Sequence, residues 1–278
     1  MTRIDRRALF TSGAAAALLA ASGVSLQSDP RAGGQLRIAV PRGDGSLESI
    51  VRGAVFDQLT EIGPDGVLRP ELALSWTGSS DARNWQFALR DGVRFHDGTV
   101  LTAQHAADAL GARDLADLLR IEASDERTLK IELARGNPDL PYHLAAPKLA
   151  IERTADDGGA ARVVGTGAYR ADRMHDGRGF LGRKVDSHYK AGRAGWVDTV
   201  EVVVIPDPRV RAEALRDGFV DVAALPCSQE LIGRGEFQFH PTVEDMALAA
   251  RAGVGLPKRI GARTPLDDGR IAERWWIA

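Results

Sequence analysis

The chain has 278 residues, 44% of them apolar and 27% charged, with a formal net charge of −2. That apolar share is enough to bury a substantial core, in one large domain or two smaller ones. A near-neutral balance provides no basic field for a phosphate backbone and argues against nucleic-acid binding.

The first stretch, MTRIDRRALF, carries Arg3, Arg6 and Arg7, and the apolar run TSGAAAALLAASGV follows it. This is the order of a charged region and a hydrophobic region in an export signal. Arg6 and Arg7 before Ala8-Leu9-Phe10 resemble a twin-arginine signal, with Asp5 where Ser or Thr is usual. The run is shorter than the about 20 residues a membrane span needs. Residues 1–28 are therefore expected to be removed after export, leaving a soluble protein.

GGQLRIAV alternates Leu36, Ile38 and Val40 and predicts a first strand. PRGDGS after it reads as a turn, because it lacks the Gly-Lys-Ser/Thr ending of a phosphate loop. Leu47, Ile50, Val51, Val55 and Leu59 recur at helical spacing, and the turn Gly63-Pro64-Asp65-Gly66 follows. NWQFALRDGVRF predicts a strand through Trp85, Phe87 and Leu89, a turn, and a second short strand ending at Phe95.

LRDGVRFHDGTVLTAQHAADAL places His96 and His105 close to Asp91, Asp97 and Asp108. Thr102 is suited to cap a helix running through AQHAADALGARDLADLL, with Ala103, Ala106, Ala107 and Leu110 as its inner stripe. His105 and Asp108 then share a face, and no third ligand stands beside them. They read as a solvated pair rather than a metal site.

IEASDERTLKIEL alternates Leu129, Ile131 and Leu133 with Lys130 and Glu132 and predicts another strand. NPDLPYHLAAP reads as an irregular crossing or short helix, TADDGGAAR as a loop, and VVGTGAYRADRM as extended chain. WVDTVEVVVIPDP predicts a buried strand, and VRAEALRDGFVDVAAL a helix followed by a strand at Val220–Ala224. The alternating Arg and acidic residues of RAEALRDGFVD read as a solvated helical face. Cys227 is the single cysteine, so an intramolecular disulfide is excluded, and its setting reads as a small core side chain. The ending IAERWWIA is expected to dock as a terminal strand or hook. Trp275 and Trp276 would point to opposite sides if extended, so at most one is expected to be fully buried. Mixed α/β layers result, with no repeat period that would indicate a solenoid or propeller. No GxSxG elbow, HExxH motif or paired carboxylates organise the polar residues, so neither an enzyme nor a cofactor or metal protein is expected.

Four pieces, LTEIGPDGVLRPELALSW, NWQFALRDGVRFHDGTVLTAQHAADAL, VVGTGAYR and DTVEVVVIPDPRVRAEALRDGFVDVA, come in an order that resembles the solute-binding proteins of peptide and nickel ABC transporters. The resemblance covers most of Gly33 to Leu225. It implies an α/β fold: a mixed-sheet lobe of the type II periplasmic-binding-protein kind with an additional α/β subdomain. Residues 33–56 and 153–225 would form the first lobe and 57–152 the family-specific subdomain, with 226–278 packing back on the first lobe. Family members are about twice this length, and the part without a counterpart is the second, ligand-closing lobe. The implied function is periplasmic binding of a peptide or other small solute for a membrane permease, with weak binding expected. The alternative is a non-transport interaction protein, or a remnant that keeps one lobe as a scaffold. The resemblance places Gly165, Thr166, Gly167 and Tyr169 near the ligand cleft and reduces the His96 stretch to scaffold. Gly92 and Gly98 would then set its turns, and Asp91 and Asp97 would bond turn N–H groups.

Overall fold

The computed structural model describes residues 29–156, 161–226, 231–234, 236–240, 247–257 and 269–278. Arg6, Arg7 and Cys227 lie outside the described residues. In chain order the elements are β1 (Gln35–Val40), α1 (Ser46–Val55), β2 (Thr60–Ile62), β3 (Leu68–Pro70), β4 (Ala73–Gly78), β5 (Asn84–Leu89), α2 (Ala103–Gly111), β6 (Leu118–Ala123) and β7 (Thr128–Leu133). There follow α3 (Leu140–His143), a 3-10 turn (Pro147–Leu149), β8 (Arg153–Asp156), β9 (Ala161–Val164), β10 (Tyr169–His175), β11 (Gly179–Lys184), β12 (Thr199–Val204) and α4 (Pro208–Arg216). The remainder comprises β13 (Val222–Ala224), β14 (Phe237–His240), β15 (Leu248–Arg251), β16 (Val254–Gly255), α5 (Ile271–Arg274) and β17 (Trp276–Ile277).

A seven-stranded sheet, β10-β11-β12-β1-β13-β15-β14, forms the larger layer. β1 runs parallel to both β12 and β13, and the outer pairs are antiparallel. Period-two alternation sends Leu36, Ile38 and Val40 to one face, where they pack with Ile50 and Val51 of α1. Ala39 points to the other face and meets Ala212 and Leu215 of α4. Both faces of the central strand are thus covered along its continuous apolar stretch, Ile38 to Val40.

The second layer is a four-stranded antiparallel sheet, β4-β5-β7-β6. Phe87 and Leu89 on β5 and Leu129, Ile131 and Leu133 on β7 face Ala103, Ala106 and Leu110 of α2. Two local expectations fail here. Residues around Phe95 form no strand, only an isolated bridge between Arg94 and Val100, although the Phe95 ring is buried. The α2 helix stops at Gly111 instead of continuing to Leu119, because Leu118–Ala123 pairs with β7. A weak helix former at the end yields to strand pairing.

The tail docks through β17, which pairs with β16. Trp275 is fully buried in the core under the large sheet, and Trp276 is buried as well. The chain passes from α5 into β17 rather than staying extended, and the Trp276 ring covers Gly255, where a side chain would clash with it. Arg211 also departs from the solvated-face reading. It is buried, and its guanidinium donates to the carbonyls of Ala224, Ile205 and Pro206.

Candidate functional site

The two layers meet where α1 ends. The chain leaves Val55 and runs inward through Asp57, Gln58 and Leu59, all essentially removed from solvent. The loop before β10 closes on it: the Gly167 N–H donates to the Val55 carbonyl at 2.9 Å. A Cβ on Gly167 would stand 2.5 Å from the Ala54 carbonyl oxygen, and one on Gly165 would strike Val55. Close backbone approach, rather than a ligand, explains both glycines.

The side chains around this loop are spent internally. The Thr166 hydroxyl donates to Asp57 Oδ2 at 2.9 Å. The Tyr169 hydroxyl donates to the Val197 carbonyl at 3.0 Å, and burial raises its pKa. Gly165, Thr166, Gly167 and Tyr169, expected to meet ligand, are all buried in this junction, so none of their side chains faces an open surface. Their burial has a plain cause: the motif joins two layers, and a joint excludes solvent.

His96, dismissed as scaffold, reaches the same loop. Its backbone N–H donates to the Gly165 carbonyl at 2.9 Å and its Nε2 to the Gly167 carbonyl at 2.8 Å. Asp97 Oδ1 accepts from the Thr99 N–H at 2.9 Å as the turn requires, while Asp91 is exposed and pairs with Arg127 at 3.4 Å. Gly92 and Gly98 have φ of 70° and 88°, the left-handed values that favour glycine. His105 and Asp108 do not pair. His105 closes a capping box with Thr102, its Nδ1 accepting the Thr102 N–H at 3.2 Å, and Asp108 accepts from Gln104 at 2.8 Å.

Beneath the junction lies a buried charge cluster that residue spacing did not reveal. Lys190 Nζ donates to Glu273 Oε1 at 2.9 Å and touches Glu71 Oε1, with Glu61 at 3.5 Å. Arg270 reaches Glu273 at 3.0 Å, Glu71 at 3.4 Å and the Gln58 side-chain oxygen. Arg274 pairs with Glu61 at 2.6 Å, and the Tyr189 hydroxyl donates to Glu71 at 2.9 Å. Burial opposes ionisation of Asp57, but the His188 contact and the charges of Lys190 and Arg270 outweigh it and hold the pKa far below the carboxylate range. Burial also pushes Glu71 up, to about 8, against the pull of Lys190 and Arg270. Lys190 itself stays charged, because Glu273 and Glu71 outweigh its desolvation.

Asp57, Glu71 and Glu273 offer oxygens within 4.8 Å of one another. The ammonium of Lys190 and the guanidinium of Arg270 already bring positive charge to that point, so the set does not fit a metal ion. The one sequence signal for the cluster was Asp57 inside the apolar run VFDQL. Its partners come from positions too distant for any local pattern to show. Beside the cluster opens a cleft of about 440 Å³, lined by Gln58, Glu61, Ile62, Tyr142, Arg270 and Arg274 among others.

Comparison with known proteins agrees with this architecture. The chain is 26% identical over 186 residues to the nickel-binding periplasmic protein of Escherichia coli (strain K12), covering 60% of this chain and 35% of the relative. It is 28% identical over 219 residues to the periplasmic oligopeptide-binding protein OppA of the same strain, covering 61% and 40%. The solved structure of the PBP AgaA from A.tumefacien R10 in complex with agropinic acid superposes with a TM-score of 0.66 at 28% identity, over 74% of this chain and 47% of that one. The chain thus spans between about a quarter and under half of the curated relatives it matches and about half of the solved one. The sequence profile of the bacterial extracellular solute-binding proteins, family 5 Middle, matches residues 67–233, more than half of the chain and parts of both layers. With that match, the two-layer fold and its glycine-sealed joint, the chain belongs to the family 5 bacterial extracellular solute-binding proteins.

Proposed function

We propose that the chain is the solute-binding component of an ABC transporter, taking a peptide or related small solute in the periplasm and presenting it to a membrane permease. The observation that carries this reading is the family match over residues 67–233. The names of the relatives, an oligopeptide binder and a nickel binder, supply the candidate solutes. Export through the Arg6-Arg7 signal belongs to the same reading, and catalysis has no part in it. Residues 33–56 and 153–225 form its first lobe, 57–152 its subdomain, and 226–278 the returning segment. In support, the strands of the large sheet come from 35–40 and 169–251, and those of the four-stranded sheet from 73–133.

The role of Gly165–Tyr169 in this reading is to weld the lobe to the subdomain. The cleft beside Tyr142 falls in the roughly 300–1,000 Å³ range of small-molecule sites. Titration calorimetry of the mature protein against di- and oligopeptides and Ni(II) tests it. Saturable heat with one class supports the reading, whereas no heat and no thermal shift with any of them removes it.

A further inference from the structure

The buried cluster joins segments that are far apart in sequence. Asp57 follows α1, Glu71 lies between β3 and β4, Lys190 sits on the loop before β12, and Arg270 and Glu273 belong to the last described segment. Trp275, next to them, is fully buried.

The charges do not balance. Among the buried groups three carboxylates, Asp57, Glu71 and Glu273, face two cations, Lys190 and Arg270. Glu61 and Arg274 pair at the rim and cancel each other. His188 Nε2 stands 3.6 Å from Asp57 Oδ2, but its Nδ1 accepts the Lys190 N–H at 3.3 Å while Nε2 donates to the Thr166 carbonyl at 3.0 Å; a ring that accepts at one nitrogen and donates at the other carries a single N–H and does not supply the missing charge. Tyr189 is a phenol held protonated by burial. Arg90 lies over the Tyr189 ring and donates to the Glu71 main-chain carbonyl at 2.5 Å, so it is not directed at the carboxylates. Asp57 Oδ1 is buried without a hydrogen-bond partner among the described residues, its nearest cation being Arg270 at 3.8 Å. One negative charge is therefore unpaired where water cannot solvate it, a costly arrangement unless a proton removes it.

We propose that Arg270–Trp275 is a proton-held strap: one proton on the Glu71 carboxyl keeps this segment seated across the junction, and its loss loosens the segment. Glu71 is the member placed to carry the proton, because it is the hub that Lys190, Arg270 and Tyr189 all touch. Its raised pKa agrees with the geometry. Deprotonation sets Glu71 against Asp57 and Glu273, and Glu273 is part of the strap. The strap is short: α5 is a single turn, and its main chain is held to the loop before β12 by the Gly195 N–H to Glu273 carbonyl bond of 2.7 Å, a contact that loosening of the segment would break.

The test is hydrogen exchange of the peptide covering Arg270–Ala278, corrected for intrinsic rates, at about pH 6 and about pH 9.5 in the wild type and in Glu71→Gln. The expected result is at least about tenfold faster exchange of this peptide at high pH in the wild type, with β1 and β12 unchanged, and no such acceleration in Glu71→Gln. Equal protection at both pH values, or the same acceleration in the variant, overturns the proposal. Should Glu71→Gln not fold, infrared difference spectra of the wild type decide. A buried protonated carboxyl band present at the lower pH and lost at the higher supports the strap, and a spectrum without it at the lower pH overturns it.

Discussion

The Thr166 hydroxyl donates to Asp57 Oδ2 at 2.9 Å, one residue from the loop before β10 and the other from the chain leaving α1. Both are removed from solvent, so this bond holds a buried charge. Thr166→Val keeps the shape and deletes the donor. Hydrogen bonds to charged groups contribute about 1.5–3 kcal/mol, and a loss of that size in urea unfolding is expected, whereas Thr166→Ser should recover most of it. A valine variant as stable as wild type would show that the bond is not part of the weld.

Gly167 is predicted to be the less replaceable of two glycines. At Gly167 an added Cβ meets backbone atoms of Ala54, Val55 and Phe56, which move only with α1. Gly177, at φ 63° on the β10–β11 turn, has open space around it. Gly177→Ala should cost about 1 kcal/mol through its left-handed backbone, and Gly167→Ala about 3 kcal/mol or more through displacement of the joint. Thermal denaturation of the two variants side by side measures the difference.

Trp275 fills the core beneath the seven-stranded sheet with no exposed surface. Trp275→Ala is expected to cost about 3–5 kcal/mol, the usual range for deleting a large buried ring. Its indole nitrogen has no partner among the described residues, so Trp275→Phe should cost much less than the alanine change. Equal losses for the two would mean that the cavity is not what matters.

Stability should fall on both sides of mildly acidic pH. The pKa values of Asp57 and Glu61 are depressed, so their contribution is present above the ordinary carboxylate range and is lost as pH drops below it. For Glu71 the sign reverses. Its folded-state pKa is raised, so the folded protein holds a proton that the unfolded chain lacks, and stability declines as pH climbs from the ordinary carboxylate value toward about 8. Melting temperatures across this range should trace a maximum near the low end, and Glu61→Gln should flatten the acid limb alone.

Much of the scaffold was legible because its information is local. Leu36, Ile38 and Val40 alternate, as do Leu129, Ile131 and Leu133, and both sets are strands. Gly92 and Gly98 needed left-handed backbone and have it. The end of α2 was not legible, since helical spacing continued to Leu119 while pairing with β7 claimed Leu118 onward. Arg211 looked like one more charge on a solvated face, yet carbonyls at the ends of neighbouring strands draw it inside. The charge cluster lay furthest out of reach. Its members are ordinary surface residue types one by one, and only their meeting in space makes them buried.

That meeting also sets an order of events in folding. Arg270 and Gln58 are bonded although 212 positions apart in sequence, and Arg274 and Glu61 although 213 apart. The four-stranded sheet and α2 close over contacts within residues 73–133 and can form early. The junction cannot, because closing so long a loop costs entropy before any ion pair offsets it. During synthesis Asp57 and Glu71 therefore wait in water, ionised and well solvated, until Gly269–Ala278 has emerged and can fold over them. The slowest step in maturation should be the desolvation of these charges, and a nascent chain halted before Arg270 should hold two formed layers that have not yet locked together.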